Sequence, residues 1–333
     1  MRVAVTGAAG FVGMHLVMQL LESGHHVPFA VDVMAPAYGR GAVSARMKCL
    51  RELDLSVDEA DLATAAPKAL AGQLALCDVV VHLAALPGVS LGEEQPYRYW
   101  GNNVESFARI LEASEIAGIR HVFYASSSSV YGDEALGGAC REDALHEFKG
   151  KGTYSLTKWV NELQARDFSR RTGIGTTALR FFTLYGPYGR PDMAYFTFAH
   201  QILNGSRVTL RGTDGGTRQF SYVDDVVSAI ARLVSLGEQA AYPPALQGAL
   251  NIATGLPVAA RDLVEAISSA MGIPIVGIDT VECPAIEAQA TWGDTEKLGQ
   301  LVGRPATVHL EAGVERFVRW FMDDGGRYWT ADE

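Results

Sequence analysis

Near the amino end an apolar strand pattern, residues 2–6, runs directly into Gly7-Ala8-Ala9-Gly10-Phe11-Val12-Gly13 and then into a helical pattern. No other stretch of the 333 residues restricts the fold as strongly. Glycines at three-residue spacing let a backbone turn approach an anion closely. The helix that follows presents unpaired N–H groups and a partial positive charge to the same point. Strand, glycine turn and helix in that order predict the first unit of a dinucleotide-binding α/β sheet, with Gly7, Gly10, Phe11, Val12 and Gly13 around a pyrophosphate. Asp32 closes the second apolar strand pattern, residues 26–31, about 20 residues on. A carboxylate there holds a ribose hydroxyl pair and repels a 2′-phosphate, which favours NAD over NADP.

The first half continues to alternate short apolar runs with helical patterns, as repeated βαβ units do. A third strand is expected to end near residues 53–55, placing Asp54 and Leu55 beside the adenine. A fourth covers residues 78–83 and delivers Leu83, Ala84 and Ala85 to the cofactor side. Helices are expected over 97–117 and 154–172, and strands over 121–125 and 176–180. Strands this apolar fit a sheet covered on both faces. Beyond residue 181 Gly and Pro become frequent and the alternation fades. The expected fold is therefore α/β, a Rossmann-type doubly wound parallel sheet with a smaller mixed α/β domain. Residues 1–180 would form the cofactor-binding domain and 181–333 a partly interleaved substrate domain.

A formal charge of −10 argues against a nucleic-acid backbone binder. Cys49, Cys77, Cys140 and Cys283 lack Cys-x-x-Cys spacing, so neither a disulfide frame nor a metal site is expected. The first strand starts beside the initial methionine, and no apolar run reaches the ~20 residues of a membrane span. A cytoplasmic protein with no membrane partner is the expectation.

Tyr154 and Lys158 stand four residues apart on a predicted helix, one turn from each other on one face. A phenol titrates near ~10, and a neighbouring cation lowers that value. The pair therefore reads as a device for moving a proton on and off a hydroxyl. Upstream, strand five ends in Ser126-Ser127-Ser128-Ser129-Val130-Tyr131-Gly132. In a parallel sheet the carboxyl ends of strands face the ligand crevice, where a serine hydroxyl can bond the oxygen that Tyr154 deprotonates.

With these motifs the chain resembles the extended short-chain dehydrogenase/reductase family, specifically its nucleotide-sugar epimerases and dehydratases. The resemblance implies Ser127 as the catalytic hydroxyl, with Ser128 the second choice, and Tyr154 as base. It implies Lys158 on the nicotinamide ribose and Asn103 as a residue that orders the cofactor site. The spacing from Ser127 to Tyr154 is slightly long, so a bulged loop is expected around Gly137-Gly138. Residues 179–194, with Thr183 and a G-P-x-G-R-P-D-M-A run, are similar to UDP-glucuronate 4-epimerases, as are residues 290–295. By that likeness Thr183 would meet the substrate carboxylate, Arg190 would lie near the diphosphate or sugar, and Arg218, in the segment 213–225, would bind the diphosphate. Two departures are Ser90, where relatives often carry Arg, and Gln219, where an acid is usual. The implied activity is NAD-dependent epimerisation of UDP-glucuronate to UDP-galacturonate through a 4-keto intermediate. The alternatives are UDP-glucose 4-epimerase, UDP-glucuronate decarboxylase and a non-catalytic NAD-binding sensor. A homodimer through a four-helix contact is implied as well, with Trp159 and Leu163 as a candidate apolar stripe.

Overall fold

The computed structural model describes residues 1–34, 40–144, 147–212, 215–238, 241–303 and 307–323. Its strands are β1 (Arg2–Thr6), β2 (His26–Asp32), β3 (Asp58–Glu59), β4 (Val79–His82), β5 (His121–Ser127), β6 (Gly175–Phe181) and β7 (Thr183–Tyr185). There follow β8 (Val208–Arg211), β9 (Thr217–Tyr222), β10 (Gly248–Ile252), β11 (Pro257–Ala259), β12 (Ile278–Val281) and β13 (Ala290–Thr291). The helices are α1 (Phe11–Glu22), α2 (Arg40–Glu52), α3 (Pro67–Leu74), α4 (Val89–Glu94), α5 (Pro96–Tyr99) and α6 (Ser106–Ala117). The later ones are α7 (Gly152–Thr172), α8 (Ala194–Leu203), α9 (Val223–Ser235), α10 (Ala260–Met271), α11 (Glu296–Val302) and α12 (Leu310–Asp323).

Seven strands build one parallel sheet in the order β10-β6-β5-β4-β1-β2-β3. Strand side chains alternate between the two faces. Val3, Val5, Val79 and Val81 pack with Leu16, Val17 and Ile230 of α1 and α9. Ala4 and Val80 pack on the other side with Phe107, Ile110 and Phe168 of α3-side helices α6 and α7. Double coverage is why β1 and β4 read as apolar runs. The strand order reverses between β1 and β4, which opens a crevice at their carboxyl ends.

The chain after residue 181 returns to this sheet. β10 extends it beyond β6, and α9 covers the face shared with α1. A smaller set, β11-β9-β13 with β7 also on β9, and the pair β12-β8 stand apart from it. Their core joins Tyr195, Phe196, Leu263, Ile267, Phe317 and Phe321, and it takes in Ala42 from α2.

Three expectations shift. The stretch at residues 53–55 is not a strand. It is the exit of α2, where the Leu53 and Asp54 amides bond the Leu50 and Arg51 carbonyls. The third strand is instead Asp58–Glu59, an exposed two-residue edge with no apolar pattern to reveal it. The helix expected over 97–117 is α5 and α6 joined through a π-helical turn, Trp100–Glu105. The expected bulge around Gly137-Gly138 is a pair of single 3-10 turns. Cys140 then ties this loop to the Trp292 carbonyl and the Asp294 amide at 2.9 Å each.

Behind the sheet's carboxyl edge lies a buried polar chain. Glu162 on α7 accepts from Ser126 Oγ at 2.6 Å and from Arg180 Nε and Nη2 at 2.9 and 2.7 Å. Arg180 also donates to the Tyr131 hydroxyl, which donates to Asn251 on β10, each at 2.7 Å. The Arg180 and Glu162 side chains are 3% and 11% exposed. Removing one partner of such a pair strands the other's charge. Arg180→Met should therefore lower unfolding free energy by about 3–5 kcal/mol in denaturant titrations. A loss under ~1 kcal/mol, the range of an exposed pair, would contradict the burial assigned to it.

Candidate active site

One cavity of about 610 Å³ runs from the β1–α1 turn, past the ends of β4 and β5, to the small sheet. Its first wall is the glycine turn. Gly7 sits at φ 69°, and a Cβ there would stand 2.7 Å from the Ala84 amide nitrogen. A Cβ on Gly13 would collide with the Gly7 carbonyl oxygen. Both glycines are thus demanded by the packing of turn against helix and β4. The first turn of α1 has no side-chain cap and lines the cavity, which leaves its amides available as anion donors. Asp32 accepts from the Ala9 and Val33 amides at 2.9 and 2.7 Å. Burial raises its pKa, and those amide bonds oppose the shift. Gly7, Gly10, Phe11, Val12, Gly13, Asp32, Leu83, Ala84 and Ala85 all line the cavity, whereas Asp54 and Leu55 do not. Asp54 caps the exit of α2 at φ 60°, and Leu55 packs against the core below. Asp61 and Leu62, just past β3, take the cavity wall instead. The hidden strand β3 concealed them from sequence reading. Close-approach glycines, an uncapped helix start and an aspartate beside them fit a dinucleotide.

The second wall carries the residues expected to move a proton. Tyr154 and Lys158 project from the first turns of α7, and Ser127 ends β5; all three line the cavity. Lys158 Nζ donates to the Ala125 carbonyl at 3.1 Å and lies 5.9 Å from the Tyr154 ring centre. Burial pulls the Lys158 ammonium down to about 7. Burial also pushes the Tyr154 phenol up, while the Ser127 hydrogen bond and the Arg190 charge pull it back. Arg190 therefore joins the site as a cation acting on Tyr154, a role its sequence position did not announce. Ser127 Oγ accepts from the Ser129 amide at 3.1 Å. Ser128 lines the cavity beside it, and so does Ser129, whose hydroxyl is buried without a hydrogen-bond partner among the described residues.

Asn103 is placed differently from the other cofactor candidates. It is buried behind the wall, accepting from the Leu86 amide at 2.8 Å and donating to the Leu86 carbonyl and Thr157 Oγ1 at 3.1 Å each. Its carbonyl, in the π-helical turn, accepts from Asn161 of α7 at 2.8 Å. Asn103 thus ties the loop after β4 to the helix that bears Tyr154. π-turns of this kind recur at functional sites.

The third wall holds Thr183, Arg190, Arg211 and Arg218. Arg190 pairs with Asp192 at 2.6 Å. Arg218 donates to the Ala288 and Gln289 carbonyls at 2.6 and 2.9 Å. Arg211, a further cation of this wall, pairs with Glu287. Of the two departures, Ser90 faces the cavity. Gln219 is buried away from it, donating to the Gly255 carbonyl at 3.1 Å and accepting from the Gly293 amide at 2.8 Å. Thr213 and Asp214, at the start of the Arg218 segment, lie outside the described residues.

A doubly wound sheet with a dinucleotide crevice and a Ser, Tyr and Lys set at its edge defines an NAD-linked enzyme of the short-chain dehydrogenase type. Residues 3–252 match the model of the NAD dependent epimerase/dehydratase family, and the chain belongs to that family. It is 33% identical to a probable UDP-glucuronate 4-epimerase of Rhizobium meliloti, over 96% of this chain and 97% of that one. Among solved structures it is similar to the UDP-glucuronic acid 4-epimerase of Bacillus cereus with bound UDP-glucuronic acid and NAD. That match has TM-score 0.85 and 28% identity, over 96% and 98% of the two chains. It is also similar to MoeE5 with UDP-glucuronic acid and NAD, at TM-score 0.81 and 32% identity, over 97% and 100%. NAD is the cofactor, and the class of reaction is that of nucleotide-sugar epimerases and dehydratases.

Ser127→Ala removes a hydrogen bond that pulls the Tyr154 pKa down. Activity that needs the phenolate rises with pH through that pKa, so the acidic limb of the kcat profile should move to higher pH. The plateau should fall by roughly 10²–10⁴. A limb that stays in place would remove Ser127 from the proton path.

Proposed function

We propose that the protein interconverts UDP-glucuronate and UDP-galacturonate at carbon 4. Tyr154 takes the proton of the 4-hydroxyl while Ser127 holds the same oxygen by a hydrogen bond. Bound NAD supplies the chemistry of accepting a hydride from carbon 4 and giving it back. Lys158 stands one turn behind the phenol with its ammonium on the Ala125 carbonyl, where it would hold a ribose hydroxyl of the cofactor. The 4-keto sugar turns within the cavity, and Tyr154 returns its proton when the opposite configuration forms. Each turnover is redox-neutral. Asp32 and the β1–α1 turn hold the cofactor, and the small sheet with Arg218 holds the nucleotide.

Oxidation of a hexuronate at carbon 4 creates a β-keto acid, which loses carbon dioxide when its carboxylate stands perpendicular to the carbonyl plane. An epimerase must keep that group in plane. Thr183 does so in this proposal, as a neutral hydroxyl donor on the wall it shares with Arg190. The observation that carries the reading is the convergence of Ser127, Tyr154, Lys158, Thr183 and Arg190 on one cavity. Ser128 and Ser129 stand where a 4,6-dehydratase would need an Asp-Glu pair, which argues against dehydration. The exposed Tyr97, Trp100 and Leu163 on α5 to α7 support a homodimer through those helices.

Incubation with UDP-glucuronate, UDP-glucose and UDP-N-acetylglucosamine, followed by chromatography, tests the substrate. UDP-galacturonate should form without net absorbance change at the reduced-cofactor band, and exclusive turnover of UDP-glucose would refute the assignment. In Thr183→Ala the share of UDP-4-keto-pentose should rise severalfold. An unchanged product ratio would free Thr183 of the carboxylate role.

A further inference from the structure

Arg46 is the largest fully buried side chain of the molecule among the described residues, and the proton chemistry does not use it. It comes from α2, on the cofactor side, yet its guanidinium reaches across to the substrate side. Nε donates to the Tyr188 carbonyl at 2.8 Å and Nη2 to the Gly189 carbonyl at 3.0 Å. Nη1 points at the Ala9 carbonyl, 3.5 Å away. The amide of that same residue, Ala9, donates to Asp32. One planar fork therefore joins the residue that seats the ribose carboxylate to the loop after β7.

That loop is held in a strained shape. Tyr188 adopts φ 59°, a left-handed conformation that a bulky residue avoids unless its surroundings impose it. Its ring packs on Trp320 of α12 and His15 of α1, with centroids 5.0 and 6.3 Å apart. Gly189 has no room for a Cβ, which would run into the Tyr195 hydroxyl. The next residue is Arg190, which lines the cavity and acts on the Tyr154 phenol. A guanidinium is costly to bury, and its hydrogen bonds are what make burial tolerable. Those bonds fall on the two backbone segments that flank the cofactor and substrate ends of the cavity.

We infer that Arg46 is a positioning residue that couples the two ends of the cavity. With the cofactor turn seated, Arg46 holds Tyr188 in its strained form and presents Arg190 to the sugar; a seated sugar stabilises the same turn in return. The left-handed Tyr188 segment is the element with two arrangements, and both ligands bias it toward one of them. Such coupling is reciprocal, so sugar occupancy must tighten the hold on NAD by as much as NAD tightens the hold on sugar. This inference rests on the nucleotide-sugar reading given above.

The test uses NAD-loaded enzyme in a Tyr154→Phe background, which binds without turnover. Exchange of bound NAD for isotopically labelled NAD is timed with and without saturating UDP-glucuronate, and in parallel with UDP-glucose. The sugar nucleotide should slow exchange about tenfold, within the ~5–150-fold range of common couplings. Arg46→Gln should cut that ratio at least fivefold, and Arg46→Lys, which keeps a charge but loses the fork, should give an intermediate ratio. A general loss of stability would change exchange equally with and without the sugar and leave the ratio alone. The same ratio in wild type and both folded variants overturns the inference, as does failure of both variants to fold, which would make Arg46 purely structural. Binding of UDP-glucose but not UDP-glucuronate would defeat the substrate assignment while the Arg46 comparison proceeds with UDP-glucose. Binding of neither would end both.

Discussion

The pairing of Glu162 with Arg180 ties together the parts on which the site depends. Glu162 lies one turn beyond Lys158 on α7, and it grips Ser126, the neighbour of Ser127 on β5. Through Arg180, Tyr131 and Asn251 the same bonds reach β10, which arrives from the carboxyl-terminal half. A charge pair this deeply buried is poor evidence for net stability, because desolvation offsets attraction. Its consequence is geometric. With Glu162 bonded to both Ser126 and Arg180, α7 cannot slide along β5 without stranding a charge, and this holds Ser127 and Tyr154 in one register.

Burial sets the electrostatics of the proton device. The same desolvation raises the Tyr154 phenol and lowers the Lys158 ammonium toward about 7. Both shifts favour the neutral forms of the two groups. Ser127 and Arg190 act in the opposite sense, and a cationic nicotinamide beside Tyr154 would add to them. The Tyr154 phenol is thus tuned by side chains from two other chain segments. One of them, Arg190, belongs to the loop that Arg46 fastens to the cofactor side.

Much of this was legible in the residues themselves. The β1–α1 turn, Asp32, Ser127, Tyr154 and Lys158 are short-range patterns, and each falls on the cavity wall. What escaped reading has a common cause. β3 is a two-residue exposed edge without hydrophobic alternation, so nothing in the local pattern shows that Asp61 and Leu62, rather than Asp54 and Leu55, reach the cavity wall. Asn103, which the family resemblance implies as a residue that orders the cofactor site, spends its amide on Leu86 and Thr157 behind the cavity wall, a fact of packing that no spacing reveals. Arg46 and the pairing of Arg211 with Glu287 join residues far apart in the chain.

The sequence by itself determined the parallel sheet, the glycine turn that opens its crevice, and a phenol and an ammonium one helical turn apart, while the choice of Ser127 within its serine run came from the family resemblance. The first three follow from local rules: glycine spacing, apolar runs and the helical four-residue repeat. Only the tertiary structure decided that β10 and α9 complete the first sheet. It alone decided that Gln219 is a buried structural amide while Ser90 faces the cavity, and that Arg190 shares the electrostatic field of Tyr154. Those outcomes depend on which distant segments come into contact, and contact between distant segments is fixed by packing and desolvation rather than by any periodicity along the chain.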